Sequence, residues 1–171
     1  MPTFFFILLC CMFACTPPSK KIKENADWST NHSVSYQKEV NEREQLKIAF
    51  YLEHHGELSM GMTSTGLRYQ ILNAVPKSEL ALPGKTALAI VKISLLDGTI
   101  CYETDDQFYE EIPIDHNDRE SGLNEGLKLM RKGEKAKFIL PSHLAHGLVG
   151  DLQKIPPLSI LVLDVELMDL Q

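Results

Sequence analysis

Hydrophobic and polar positions follow first a helical and then a strand period in the C-terminal third of the chain. After Ser121 the apolar positions recur every three or four residues, as on one helix face: Leu123, Leu127 and Met130. Ser121 is of the type that caps a helix N-terminus, and Gly133 suits a left-handed C-terminal cap. The pattern therefore predicts a short amphipathic helix over residues 122–131.

Alternation with a period of two follows this helix. It predicts one strand over residues 135–140 and, after a loop, a closing strand that reaches residue 167. Four apolar residues share the predicted inward face of the closing strand: Leu161, Leu163, Val165 and Leu167. Asp164 and Glu166 fall on its other face.

Further strands are predicted upstream of the helix. Residues 65–73 alternate, and residues 86–96 are apolar on both faces, as a central strand requires. Asp97-Gly98 predicts a tight turn, after which residues 99–103 pair back as a hairpin. Residues 108–114 add another short strand. This order of strands and one helix predicts an α+β fold, an antiparallel half-barrel sheet wrapped around one short helix.

The segment before these strands predicts a polar tether and a helical extension. Residues 16–35 are too poor in apolar side chains to fold alone and are expected to act as the tether. Residues 36–60 form the extension, in which a helix from Glu39 to His55 has a broad apolar face and Gly56 ends it. Such a face must pack on the following domain or on a second copy of the chain.

The first fifteen residues are apolar and end in a cysteine. The run falls short of the roughly 20 residues that a membrane-spanning helix needs and resembles the apolar region of a signal peptide. Ala14-Cys15 has the small residue before cysteine that bacterial lipoprotein processing sites have, so Cys15 is the predicted lipidation site. Cys10 and Cys11 fit less well, and a cleaved or fortuitous apolar terminus without lipid is the alternative.

Charge and cysteine content narrow the classes of function. The net charge is −6 and the isoelectric point is near 5.5, which makes nucleic acid an unexpected partner. Three of the four cysteines lie in the apolar N-terminal run. Cys101 is then the only thiol of the predicted domain, and no internal disulfide is expected there.

Six features in one order now identify a resemblance. The predicted helix is followed by Met-x-x-Gly-Glu-Lys-Ala, a strand, an Ala-x-Gly loop, Ile-Pro-Pro and a closing Leu-Val-Leu-Asp-Val-Glu-Leu. Together they resemble the C-terminal half of an FKBP-type peptidyl-prolyl isomerase, in particular the lipid-anchored envelope branch of that family. The resemblance implies an FKBP-like domain over residues 61–171 that acts on proline-containing polypeptides without any cofactor.

The resemblance also implies where a proline-binding pocket lies. The matched catalytic positions are Tyr102, His146 and Leu163, and the matched substrate-binding positions are Val91, Cys101, Leu123 and Ile155. Only Ile155 keeps the residue usual in the family. The other positions depart from it: aromatic residues are usual at five of them, and an Asp is usual where this chain has Tyr102. Arg119-Glu120 stands where an apolar pair is usual and places two charges at the rim.

Two functions follow from this comparison. The first is a peptidyl-prolyl cis-trans isomerase, expected to be weak, that acts on exported proteins from a lipid anchor in the bacterial envelope and faces the periplasm. The alternative is a non-catalytic FKBP-like chaperone or proline-segment binding module, which the missing aromatic residues favour. No metal site is expected, because the spacing of His143 and His146 does not bring their rings together in an extended loop.

Overall fold

A computed structural model describes residues 30–105, 108–116 and 119–171. The predicted signal peptide, the candidate lipidation residues Cys10, Cys11 and Cys15, and most of the predicted tether lie outside these ranges. Within them no helix is both long and apolar enough to span a membrane.

Ten elements make up the described chain. The helices are α1 (Thr30–His54), α2 (Ser121–Leu127) and a 3-10 turn (Ser142–Leu144). The strands are β1 (Gly61–Met62), β2 (Arg68–Asn73), β3 (Thr86–Leu95), β4 (Ile100–Glu103), β5 (Glu110–Pro113), β6 (Lys135–Leu140) and β7 (Leu161–Leu170).

All seven strands form one antiparallel sheet in the order β1-β2-β6-β7-β3-β4, and β5 also pairs with β3. The last strand, β7, lies inside the sheet between β6 and β3. Strand β3 is central as well, as its two apolar faces predicted. The predicted antiparallel sheet is therefore confirmed.

The register brings one row of inward side chains across the sheet. Direct pairing of opposite residues places five positions side by side, from β4 to β2: Tyr102, Ile93, Leu163, Phe138 and Tyr69. Helix α2 covers this face, and Leu123 and Leu127 are fully buried in the same core. The prediction that the helix lies against the inner face, with Leu163 pointing inward, is confirmed.

Two glycines let α2 lie close to β6. A Cβ at Gly122 would come within 2.6 Å of the Leu140 side chain, and one at Gly126 within 2.8 Å of the Phe138 ring. Spaced four apart, they lie on the helix face that meets the sheet.

Helix α2 is shorter than predicted, and both predicted caps are wrong. It begins at Ser121, so Glu120 holds the N-cap position and the Ser121 hydroxyl donates to the Leu144 carbonyl instead. It ends at Leu127, where the turn tightens: the Leu129 amide donates to the Gly126 carbonyl and the Met130 amide to the Leu127 carbonyl, each three residues back. Gly133 has a positive φ of 86°, but it serves the turn into β6.

Helix α1 packs on the opposite face of the sheet from α2. Ile48 is fully buried there against Ile139, Ile160 and Val162. Of the predicted apolar face, Leu46 and Phe50 remain 73% and 64% exposed. The domain therefore covers only one side of that face.

Helix α1 also begins at Thr30, not Glu39, so residues 30–35 are helical instead of forming the end of the tether. Residues 32–39 are all exposed. Because none of them packs on the domain, this part of the sequence has no apolar stripe that would mark a helix. Ion pairs four residues apart, Lys38–Glu42 and Glu39–Arg43, support the helix locally.

Candidate active site

A pocket of about 790 Å³ opens between the β3–β4 hairpin and the loop that follows the 3-10 turn. Its floor is apolar, and Val91 and Ile93 of β3 contribute to it. Strand β4 and the segment after it supply Ile100, Cys101, Tyr102, Glu103 and Thr104, and the far wall consists of Glu110, Arg119, Glu120, His146, Asp151, Gln153 and Lys154.

An irregularity in the hairpin turns two adjacent residues of β4 toward the pocket. Ile93 pairs with Tyr102 and Ser94 with Ile100, so Cys101 is the extra residue of a bulge. The Cys101 side chain is 2% exposed, and burial together with the nearby Asp151 carboxylate raises the pKa of its thiol. Both effects disfavour the thiolate form, so Cys101 presents a small, buried thiol to the pocket.

Tyr102 is tied to the opposite wall of the pocket. Its hydroxyl donates a hydrogen bond to Asp151 Oδ2. Asp151 Oδ1 accepts from the backbone amides of Gln153, at 2.9 Å, and Ile155, at 2.7 Å. Burial tends to raise the pKa of Asp151, but these hydrogen bonds outweigh it and lower the pKa from 3.8 to about 2. The carboxylate is therefore ionised at neutral pH and closes one end of the pocket.

One of the pocket carboxylates is bonded directly to Tyr102. Residue 102 stands where an Asp was expected and is a tyrosine, but Asp151 places a carboxylate in the same pocket from the facing loop. The resemblance to the family did not indicate this pair. Sequence pattern alone offered no signal for it, since 49 residues separate the two partners.

A chain of charged side chains lines the other rim. Glu120 is 6% exposed; its Oε1 lies 3.0 Å from His146 Nε2 and its Oε2 lies 3.1 Å from Arg119 Nε. Arg119 is also paired with Glu110. Burial tends to raise the pKa of Glu120, but the charge of Arg119 and the hydrogen bonds from Arg119 and His146 lower it below its ordinary value. The two rim charges predicted at 119–120 thus neutralise each other in part.

The loop between these walls requires a glycine at position 150. Gly150 has a φ of 71°, and a Cβ there would collide with the carbonyl oxygen of Ile155. Lys154 extends from the same loop, and its ammonium lies 4.8 Å from the centroid of the Tyr102 ring. The loop therefore places Asp151 at the hydroxyl of Tyr102 and Lys154 over its ring.

The predicted site residues divide into two groups. Val91, Cys101, Tyr102 and His146 line the pocket. Leu123, Ile155 and Leu163 are at most 2% exposed, belong to the core, and are absent from the pocket wall. Leu163 pairs directly with Ile93, so it supports the floor from the neighbouring strand.

The two loop histidines have separate partners. His143 Nε2 lies 2.9 Å from the carbonyl oxygen of Thr65, whereas His146 faces Glu120. Among the residues that the structure describes, no group of three or more His, Cys, Asp or Glu side chains could hold a metal ion.

Comparison with known proteins places this chain and its fold in one family. The model of the family "FKBP-type peptidyl-prolyl cis-trans isomerase" matches residues 77–168, more than half of the chain. FkpA of Escherichia coli strain K12, named as an FKBP-type peptidyl-prolyl cis-trans isomerase, is 37% identical over 117 residues, which are 67% of this chain and 42% of that protein. FkpA of Buchnera aphidicola subsp. Schizaphis graminum is 30% identical over 154 residues, 88% of this chain and 60% of that protein.

Solved structures agree with the sequence comparison. The crystal structure of FkpA from Escherichia coli superposes with a TM-score of 0.63 at 31% identity and covers 81% of this chain and 64% of that one. AtFKBP13, with a TM-score of 0.59 at 22% identity, covers 66% of this chain and 98% of that one and shows the fold alone. The chain thus spans about half the length of the curated relatives it matches. It belongs to the FKBP-type peptidyl-prolyl cis-trans isomerase family.

Proposed function

We propose that the protein is a peptidyl-prolyl cis-trans isomerase acting on proline-containing segments. The observation that carries the proposal is the pocket with an apolar floor and a rim of mutually paired charges, in a chain of this family. Isomerisation of an X-Pro bond must overcome a barrier of about 20 kcal/mol while the amide loses its planarity, and it needs neither a nucleophile nor a metal.

The pocket residues can lower this barrier by binding the twisted amide better than the planar one. Val91, Ile93 and Cys101 offer apolar surface for the proline ring and exclude water beneath it. The planar amide is the more dipolar state, so a water-poor surface disfavours it relative to the twisted one. Tyr102 is held by Asp151 and presents a fixed aromatic edge to the same space.

A protease-coupled assay on an X-Pro peptide tests the proposal directly. We expect measurable turnover by the chain and a loss of at least about tenfold in Tyr102→Ala, because the fixed side chain would leave the site. Tyr36→Ala is the matched control, since Tyr36 is exposed on α1 outside the pocket. A folded protein without turnover that suppresses client aggregation would instead support the binding module.

We also propose that the protein works in the bacterial envelope, attached to the membrane by a lipid on Cys15 and facing the periplasm. The support is the length of the apolar N-terminal run and the Ala14-Cys15 pair. Exported, unfolded polypeptides containing proline are then the proposed clients.

The anchor has its own test. Cys15→Ser should abolish fatty-acid labelling and leave unprocessed precursor, whereas Cys101→Ser, a change at the domain's own thiol, should leave labelling intact. Labelling that survives Cys15→Ser but disappears with Cys10→Ser or Cys11→Ser would move the site.

A further inference from the structure

Helix α1 contacts the loop that carries His146 through a buried carboxylate. Glu44 is 3% exposed, and its Oε2 accepts a 2.9 Å hydrogen bond from the backbone amide of Ser142. The two residues are 98 positions apart in the sequence. This contact joins the N-terminal helix to the first residue of the 3-10 turn.

The 3-10 turn has no cap of its own. Its N-cap position is held by Pro141, whose side chain has no hydrogen-bonding atom, and no side-chain cap is formed locally. The first amides of a helical turn have no partner within it, and a carboxylate is well suited to accept from them. Glu44 therefore supplies from α1 the cap that the local sequence lacks.

Packing of α1 holds this carboxylate in place. The buried stripe of the helix consists of Val40, Glu44 and Ile48, spaced four residues apart. Ile48 packs on Ile139 of β6, and Ser142 follows shortly after the end of that strand. Burying a carboxylate is costly unless it is hydrogen-bonded, and of the two Glu44 oxygens only Oε2 has a partner among the described residues. The position of Glu44 therefore depends on Ser142.

Ser142 in turn holds the two residues that flank His146. Its carbonyl oxygen accepts from the amides of Ala145, at 3.0 Å, and Gly147, at 2.8 Å. His146 then reaches Glu120 across the pocket rim. The backbone on both sides of the pocket histidine is thus fixed to the residue that Glu44 caps.

We propose that Glu44 is a positioning residue for the pocket, acting through Ser142 to hold His146 in its place. Helix α1 then helps to set the geometry of the pocket, through the bond from Ser142 to Glu44. This inference rests on the proposed isomerase function for its effect on turnover, but not for its effect on the loop.

Three variants of the full chain separate this role from simple stabilisation. Glu44→Ala removes the cap, and Glu44→Gln keeps an acceptor oxygen of nearly the same shape. Glu42→Ala removes an exposed glutamate from the same helix and serves as the matched control. We expect kcat/KM to fall about tenfold in Glu44→Ala, less than the roughly 100-fold that a 1 Å misplacement can cause. Glu44→Gln and Glu42→Ala should stay within about twofold of the wild type.

A spectroscopic readout decides the proposal independently of turnover. The His146 ring resonances and the hydrogen exchange of the Ser142 amide should change in Glu44→Ala and not in Glu42→Ala. A lower melting temperature with unchanged kcat/KM and unchanged His146 resonances would overturn the proposal. If the wild type shows no turnover, the isomerase function fails, while a His146 shift confined to Glu44→Ala would still support positioning by Glu44.

Discussion

Replacement of Leu163 by alanine should destabilise the protein and weaken the pocket together. Leu163 is fully buried on β7, where it pairs directly with Ile93 on one side and Phe138 on the other. Ile93 lines the pocket, whereas Leu163 does not. The change therefore removes the support of the floor without altering any group that substrate would contact.

The magnitude follows from how little the site can collapse. Truncating a buried leucine to alanine lowers the free energy of unfolding by about 2 to 5 kcal/mol, and the larger losses occur where the cavity stays open. Both neighbours of Leu163 lie on strands whose positions are set by backbone pairing on each side. We therefore expect a loss of about 3 to 4 kcal/mol, a large share of the roughly 5 to 15 kcal/mol that holds a typical domain folded.

Urea unfolding followed by circular dichroism measures this loss, and the isomerase assay without urea measures the pocket. Leu72→Ala is the matched control, since Leu72 on β2 is 51% exposed and should lose about 1 kcal/mol or less. We expect kcat/KM in Leu163→Ala to fall about threefold to tenfold, because a cavity beneath Ile93 lets the floor move. A stability loss no greater than that of Leu72→Ala would refute the placement of Leu163 at the centre of the core.

Three further predictions concern the loop and its carboxylate. Tyr102→Phe and Asp151→Asn should each lower kcat/KM. The double variant should lose no more than the more severe single variant, because the two groups act as one hydrogen-bonded unit. Losses in kcat/KM that multiply would contradict this. The pKa of Asp151 is about 2 in the folded protein and 3.8 ordinarily, so its stabilisation is complete above about pH 4 and lost as the pH falls toward 2. Asp151→Asn should accordingly flatten the acid side of a melting-temperature profile, and an unchanged profile would count against the low pKa. Gly150→Ala should destabilise the loop and reduce turnover, whereas Gly56→Ala, at an open position without positive φ, should be tolerated in the same two assays.

The order of elements and the inner face of the sheet could be read from the sequence. Period-two alternation in β7 placed Leu163 and Val165 inward, and the structure buries both. The motif order also indicated the family that the comparison establishes. These features are local, because each depends on the spacing of side chains along one strand or helix.

Element ends were less predictable because tertiary contacts decide them. At the end of helix α2 the amides of Leu129 and Met130 donate to carbonyls three residues back, and the Met130 carbonyl accepts from the Ala81 amide, a partner outside the helix. Helix α1 extends back to Thr30, and its residues 32–39 are all exposed. Because none of them is buried, they show no apolar stripe that would mark a helix. Neither outcome has a signal in the local alternation of polar and apolar residues.

The candidate site likewise depends partly on local sequence and partly on tertiary contacts. The resemblance to the family implied one pocket for seven residues. Four of them line the pocket, Val91, Cys101, Tyr102 and His146, whereas Leu123, Ile155 and Leu163 lie in the core. Only the tertiary structure decided that Asp151 bonds to Tyr102 in the pocket and that Glu44 accepts from the Ser142 amide beside it. Each of these contacts joins residues far apart in sequence, and a hydrogen bond across that separation depends on where the fold brings two chain segments together.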